Sequence, residues 1–270
     1  MQTTNRKDWP PISETLFIPL AARAAETTRK NPIFTDEKSL EMLRTIDTST
    51  TVTDGGELAT QGILARTKVI DDEVKKIIAQ TPNAVILNLG AGLDTRMNRI
   101  DNGLLTWFDL DLPEVISLRS RFFSENDRVR FISKSVLDAS WVEEIPLPEN
   151  STVVIVAEGL LMYFPEEDVI RFFTLLAKRF SGAHLFFDVV HRFFVNKKMS
   201  SPFLWGLDRA KDIEKLNEQV RLVQAWSTGN LLKERQSMLI RILNLLPSTR
   251  NRSQILHIQF AREDAQSNRR

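Results

Sequence analysis

The stretch from Val85 to Asp111 constrains this chain more than any other. Val85-Ile86-Leu87 is a short apolar, partly β-branched run, the pattern of a strand buried on both faces. It continues through Leu89 into Gly90-Ala91-Gly92. Two glycines at such a point let the backbone turn tightly and come close to a ligand, which a Cβ would obstruct. A second run, Leu104 to Asp111, ends in Asp109-Leu110-Asp111. An acid roughly 20 residues past a glycine turn is the usual partner of ribose hydroxyls. The stretch therefore predicts a nucleoside-bearing cofactor at the C-terminal edge of a parallel sheet.

The following segments keep the rhythm. Strands are predicted at 85–90, 104–111, 129–136, 152–158 and 184–190. Between them fall helices at 94–100, after Pro113 with Val115, Leu118 and Phe122 as buried stripe, and at 165–180. The last is well punctuated: Pro165 and Glu166-Glu167-Asp168 open it, Lys178 and Arg179 close it, and Gly182 follows. Alternating strands and helices mean an α/β chain with a parallel sheet covered on both faces. Three helices precede the first strand. Ser13 to Arg29 has Ser13 as cap and Leu16, Leu20 and Ala24 on one face. Asp36 to Ile46 has Thr35 as cap and Leu40, Leu43 and Ile46 on one face. Glu57 to Gln80 follows a polar loop, Thr48 to Gly56, is supported by Asp71–Lys75 and Asp72–Lys76 pairs, and stops at Pro82. After Val190 the rhythm breaks into an irregular aromatic segment, then a strand at 220–227, an apolar helix at 230–246 and a strand at 254–261. One domain is expected: a helical cap (1–82), a cofactor-binding core (83–190), a substrate wall or lid (191–219) and C-terminal elements completing the sheet (220–270).

Composition removes several classes of function. The 36 Lys and Arg against 35 Asp and Glu leave a net charge of +1, so no global field draws nucleic acid or membrane. There is no cysteine, and the three histidines (His184, His191, His257) form no close pair in sequence, so a metal site is not expected. No apolar run approaches the roughly 20 residues that span a bilayer. Thr15 to Ala25 is mildly apolar, but Pro19 and Arg23 interrupt it, so a cytoplasmic chain without a signal peptide is expected.

Two cofactors compete for the glycine turn. A dinucleotide site needs G-x-G-x-x-G, and here the third position is Thr95. Asp94 stands where a pyrophosphate would approach a helix N-terminus, and a carboxylate repels phosphate. It suits a cofactor with a cationic end, and S-adenosylmethionine carries an ammonium, a sulfonium and no phosphate. Asp94 is equally a candidate cap for the short helix that follows.

LNLGAGLDTR, FDLDLPEVISLR and VAEGLLMYF, in that order, resemble the leucine carboxyl methyltransferase family of S-adenosylmethionine-dependent enzymes. Within it the chain is most similar to the bacterial small-molecule O-methyltransferases of the tetracenomycin polyketide type. The resemblance runs from ETLFIPLAARA through SVLDASW to FLWGLD. It implies a class I methyltransferase, Rossmann-like fold, with seven strands in the order 3-2-1-4-5-7-6 and the last antiparallel. It implies that Arg66 holds the carboxylate of the cofactor's methionine part, that Gly90 and Gly92 form the glycine turn, and that Asp111 meets the ribose, with Asp109 its near neighbour. Val136 and Leu137 fall where the family flanks the adenine, and Glu158 matches the acid after the fourth strand.

Other readings stand beside these. Arg66 alone reads as a solvated helix charge, Tyr163 as a wall residue or a substrate contact, and Phe193, Phe194, Phe203 and Trp205 as core or pocket wall. A carboxylate acceptor is ionised at neutral pH, whereas a phenol, with a pKa near ~10, benefits from a base. His191 is the histidine placed for that, or a loop residue; His184 and His257 read as structural. The expected function is methyl transfer to a carboxylate or phenolic oxygen of a small, largely apolar, polyketide-like or aromatic metabolite. The alternatives are a protein C-terminal leucine carboxyl methyltransferase, a nicotinamide oxidoreductase and a non-catalytic binding protein with this fold.

Overall fold

Every predicted strand forms, and the alternation of side chains explains why. The structure, a computed structural model, describes residues 16–46, 56–197 and 202–262. Its strands are β1 (Val85–Leu89), β2 (Thr106–Asp111), β3 (Val129–Ser133), β4 (Val153–Ala157), β5 (His184–Val190), β6 (Val220–Ser227) and β7 (Ser253–Phe260). They make one seven-stranded sheet in the order β3-β2-β1-β4-β5-β7-β6. β1 pairs in parallel with β2 and β4, while β7 runs antiparallel to β5 and β6. Val85, Leu87 and Leu89 face one core, with Ile155, Phe187, Phe172 and Phe173. Ile86 faces the other, with Val154, Phe186, Ile70 and Val74. Both faces are covered, so the strands read as continuous apolar runs.

Helix α3 (Gly56–Gln80) lies on one face and α6 (Glu166–Arg179) on the other. Helices α1 (Phe17–Thr27) and α2 (Glu37–Thr45) pack with Leu93 and Leu118 in a third cluster. Short helices α4 (Arg96–Ile100) and α5 (Pro113–Arg119) follow β1 and β2. Among the described residues no helix is long and apolar enough to cross a membrane, and no group of His, Asp and Glu could hold a metal ion.

Four local expectations are corrected. The cap of α2 is Asp36, whose carboxylate accepts the Ser39 N–H at 3.0 Å, and not Thr35. The buried face of α2 is Ser39, Met42 and Ile46 rather than Leu40, Leu43 and Ile46. On α3, Asp71 is buried and turned to α4, while Asp72 takes Lys68 and Glu73 takes Lys76. The segment 230–246 is no single helix: Leu232 has φ +49°, Gln236 is extended, and Ser237 caps a fresh helix, α7 (Met238–Leu243), with α8 (Pro247–Arg250) behind it. Of α7's side chains only Ile240 is buried; Met238, Leu239 and Ile242 are exposed. The predicted cap Ser13, nearly all of the polar loop at 48–56 and the C-terminal tail lie outside the described residues.

His184 and His257, 73 positions apart, meet across β5 and β7 with Nδ1 and Nε2 2.9 Å apart. Burial, and then the neighbouring His184, push His257 down to about 4. The folded ring thus stays neutral where an unfolded one, with a pKa near ~6.5, takes a proton. The stability this contributes is complete above the unfolded pKa and is lost as pH falls toward the folded one. The urea midpoint should therefore fall between pH 7.5 and 5, by about 2 kcal/mol of stability, and the fall should shrink in His257→Gln.

Candidate active site

The C-terminal ends of β1, β4 and β5 and the start of β7 open on one cavity of about 630 Å³, roofed by α1 and α3. It lies where the strand order reverses between β1 and β4, the place where open α/β sheets bind ligands. Gly90 (φ +66°) and Gly92 (φ +46°) line it. A Cβ on Gly90 would stand 2.8 Å from the Leu160 side chain and its residue would have to adopt a left-handed backbone, so a larger residue there would be strained.

A continuous chain of buried ion pairs backs this turn. Arg66 on α3 donates from Nε to Glu158 at 2.8 Å and from Nη1 to Asp188 at 2.9 Å. Arg96 on α4 reaches Glu158 at 2.5 Å, Asp94 at 2.5 Å and Asp71 at 2.7 Å. Arg99 joins Asp71 at 2.6 Å to Asp36 at 2.8 Å, and Arg23 on α1 closes on Asp36 at 3.0 Å. Four guanidinium groups (Arg23, Arg66, Arg96, Arg99) alternate with five carboxylates (Asp36, Asp71, Asp94, Glu158, Asp188), leaving one carboxylate in excess. Burial alone would raise the Glu158 carboxyl, but Arg96 and Arg66 outweigh it and hold it below the usual range. Asp94 is likewise held low, by Arg96, Arg99 and Arg23 against burial.

Arg66, Gly90, Gly92, Asp94, Glu158 and Tyr163 all line the cavity. Asp94 also accepts the Arg96 N–H at 2.9 Å, but it stands one residue ahead of α4's N-cap, which is Thr95, so the expected capping role is corrected while its place on the cavity wall stands. The structure separates the two acids of β2. Asp109 is buried, with both oxygens committed to Asn88, Trp107 and Arg119. Asp111, half-buried at the strand end, accepts the Gly92 N–H at 2.8 Å and the Leu112 N–H at 2.7 Å. Burial raises its carboxyl in spite of those donors. Thr95, in place of a third glycine, donates its hydroxyl to Asp36 and so ties the turn to α2. Tyr163 packs against Phe203 at 5.7 Å, and burial raises its phenol above the ordinary value.

Four predicted residues stand off the cavity lining: Asp111, at the end of β2, and three more. Val136 is buried in the core and Leu137 is exposed, and neither lines the cavity. His191 is off the wall as well; its Nδ1 accepts the Phe193 N–H at 3.1 Å and caps the turn 192–194. Of the aromatics after β5, Phe194 and Phe203 line the cavity, Phe193 is exposed and Trp205 is core. Sequence reasoning missed Arg23, Asn88, Asp188 and Arg252, which also line it. Asn88 and Asp188 carried a readable signal, each a lone polar residue inside an apolar strand.

The sheet order, with its antiparallel β7, and an acid-backed glycine turn at the switch point define a class I methyltransferase fold. A solved DUF574 family protein from Streptomyces avermitilis shares that fold, with a TM-score of 0.55 at 13% identity over 89% of this chain and 97% of that one. Residues 17–177 match the model of the leucine carboxyl methyltransferase family. The chain belongs to that family and is an S-adenosylmethionine-dependent methyltransferase. It is 29% identical over 225 residues to the tetracenomycin polyketide synthesis O-methyltransferase TcmP of Streptomyces glaucescens, across 80% of this chain and 83% of the relative. It is 26% identical over 230 residues to the S-adenosyl-L-methionine-dependent methyltransferase dpfgK of Gibberella zeae, across 74% and 77%.

Arg96 is fully buried and joins three carboxylates. Removing one partner of a buried pair leaves an uncompensated charge, so Arg96→Met should cost about 3–5 kcal/mol in urea unfolding at pH 7. The deficit should narrow as pH is lowered to about 4.5, because the carboxylates it strands can then be neutralised by protons. A deficit constant with pH would assign Arg96 to packing alone.

Proposed function

We propose that this enzyme transfers a methyl group to a carboxylate or phenolic oxygen of a small, largely apolar metabolite. The observation that carries the reading is the mixed lining of the cavity. It sets Arg23, Arg66, Asp94, Glu158 and Asp188 together with an apolar, aromatic wall of Ile18, Pro19, Leu58, Ile63, Met162, Tyr163, Phe194 and Phe203. The charged groups suit a zwitterionic methionine part, and the apolar, aromatic wall suits a flat organic acceptor.

The charged part of the lining fits the cofactor in detail. Its ammonium and carboxylate cancel, leaving the sulfonium charge, which matches the single carboxylate in excess among the buried ion pairs. Arg66 uses Nε and Nη1 on Glu158 and Asp188, and Nη2 has no acceptor among the described residues, so it is placed to take the methionine carboxylate. Glu158 and Asp94, held ionised, face the ammonium. Asp111 accepts the ribose hydroxyls beside the glycine turn, and the loop after β3 that carries Val136 and Leu137 is next along the sheet edge, toward the adenine.

When bound, the cofactor supplies an electrophilic methyl carbon. The chain's residues orient the acceptor oxygen opposite the carbon–sulfur bond and keep water out. Tyr163, protonated at neutral pH, acts as a hydroxyl donor that positions the acceptor. Asp94, Glu158 and Asp188 are all engaged by arginines and His191 is off the wall, so the arrangement favours an acceptor that is already ionised.

Calorimetry should show S-adenosylhomocysteine binding and no binding of NADH. Arg66→Gln should weaken S-adenosylhomocysteine by about 10- to 100-fold, the worth of a charge-assisted hydrogen bond. Retention of full affinity in that variant, or binding of NADH in place of S-adenosylhomocysteine, would overturn the assignment.

A further inference from the structure

Arg252 stands at the same cavity, just ahead of β7, and Thr228 and Ser253 line it as well. The other arginines on the wall, Arg23 and Arg66, each hold carboxylates. Arg252 holds none among the described residues. Its guanidinium is half-buried and donates to three neutral oxygens: Asn244 Oδ1 at 2.8 Å, the Thr249 carbonyl at 3.0 Å and Gln61 Oε1 at 2.7 Å. Burial lowers its affinity for the proton, and no carboxylate offsets that.

The cradle is built from amides that orient one another. Gln61 donates Nε2 to the carbonyls of Thr228 at 3.2 Å and Leu231 at 3.0 Å, which fixes Oε1 as the acceptor for Arg252. Asn244 donates Nδ2 to Gln236 at 3.0 Å, and Gln236 donates in turn to the carbonyls of Gly229 and Leu231. Three N–H groups of Arg252 are thereby used. Of the five that a guanidinium carries, Nε–H and one Nη2–H have no acceptor among the described residues. A buried cation is costly unless it is paired as well as hydrogen-bonded. Neutral amides satisfy its geometry and leave its charge uncompensated, so an anion from outside is favoured there.

The cavity wall thus carries two excess charges of opposite sign, one carboxylate over among the ion pairs around Arg66 and one guanidinium over at Arg252. We propose that Arg252 is the counter-ion of the methyl acceptor: it selects an anionic, carboxylate-bearing aromatic or polyketide-like molecule and turns its charged group toward β7. This rests on the methyl-transfer reading of the same cavity. A planar guanidinium meets a carboxylate with two parallel hydrogen bonds, which orients a flat molecule as well as attracting it.

The test uses the full chain saturated with S-adenosylhomocysteine and a matched pair of probes, naphthoate and its methyl ester, titrated by calorimetry. Naphthoate should bind at least about tenfold more tightly than the ester, the effect of one charge-assisted pair. Arg252→Gln should abolish the preference, and Arg252→Lys, which keeps the charge but not the fork, should retain part of it. Both variants should hold S-adenosylhomocysteine within about twofold of the unaltered chain, which shows that the fold and cofactor site survive. The proposal is overturned if the unaltered chain binds the two probes equally or naphthoate not at all, or if the preference survives in Arg252→Gln. Failure of the unaltered chain to bind S-adenosylhomocysteine would instead sink the methyl-transfer reading on which the proposal depends.

Discussion

The chain of buried ion pairs from Arg23 to Asp188 is the constraint on which the rest of the site depends. Its members come from α1, the cap of α2, α3, the β1 turn, α4, the end of β4 and β5. Taking so many charges out of water is expensive, and a well-packed apolar cluster of equal volume would often be as stable. The gain is geometric. Each guanidinium is a rigid fork that accepts only certain carboxylate positions, so the helices ahead of the sheet are held in fixed register to the glycine turn. Thr95 shows the same logic at smaller scale. A third glycine would bring helix and strand closer, whereas the threonine hydroxyl anchors the turn to Asp36.

The sheet places two kinds of edge side by side. The ends of parallel strands β1, β4 and β5 supply Gly90, Glu158 and Val190, and the antiparallel β7 begins beside them, with Val190 opposite Ser253. Reversing the last strand therefore brings Arg252, a residue from before a strand, to the edge where Gly90 and Glu158 come after one. Met162, in the turn after β4, takes the Leu204 N–H at 2.8 Å, so the aromatic segment is fastened to the same edge as Tyr163. The parallel half of the fold thus supplies the glycine turn and Glu158 to the cavity, and the irregular segment and the C-terminal strands supply Phe194, Phe203 and Arg252.

How legible each part was in the sequence follows from the range of the interactions that determine it. The strands of the parallel core bury both faces, so their apolar runs stand out, and Glu158 was found because an acid ended such a run. The same rule would have flagged Asn88 and Asp188. Arg23 and Asp71 gave no local sign, since a charge on a helix reads as solvated unless its partners are known. Here those partners lie 13 and 25 positions away. Asp71 was read as a surface partner of Lys75 for this reason. The segment 230–246 failed differently. Its leucines recur at helical spacing, but the left-handed Leu232 and the capping Ser237 break it, and Gln236 and Asn244 are held in the cradle of Arg252 instead.

Those two outcomes are connected. Arginines of one type have opposite consequences in this cavity according to what surrounds them. Arg66, between two carboxylates, is neutralised within the protein and can only share its remaining edge with a ligand. Arg252, between amides and a carbonyl, keeps a charge that no carboxylate among the described residues offsets. Amide side chains can hold a guanidinium without cancelling it because they contribute lone pairs and no net charge. A helix through 230–246 would have carried Gln236 and Asn244 along its own axis. Breaking it into short turns lets both amides converge behind one arginine, which gives the irregular C-terminal segment a physical reason within the site.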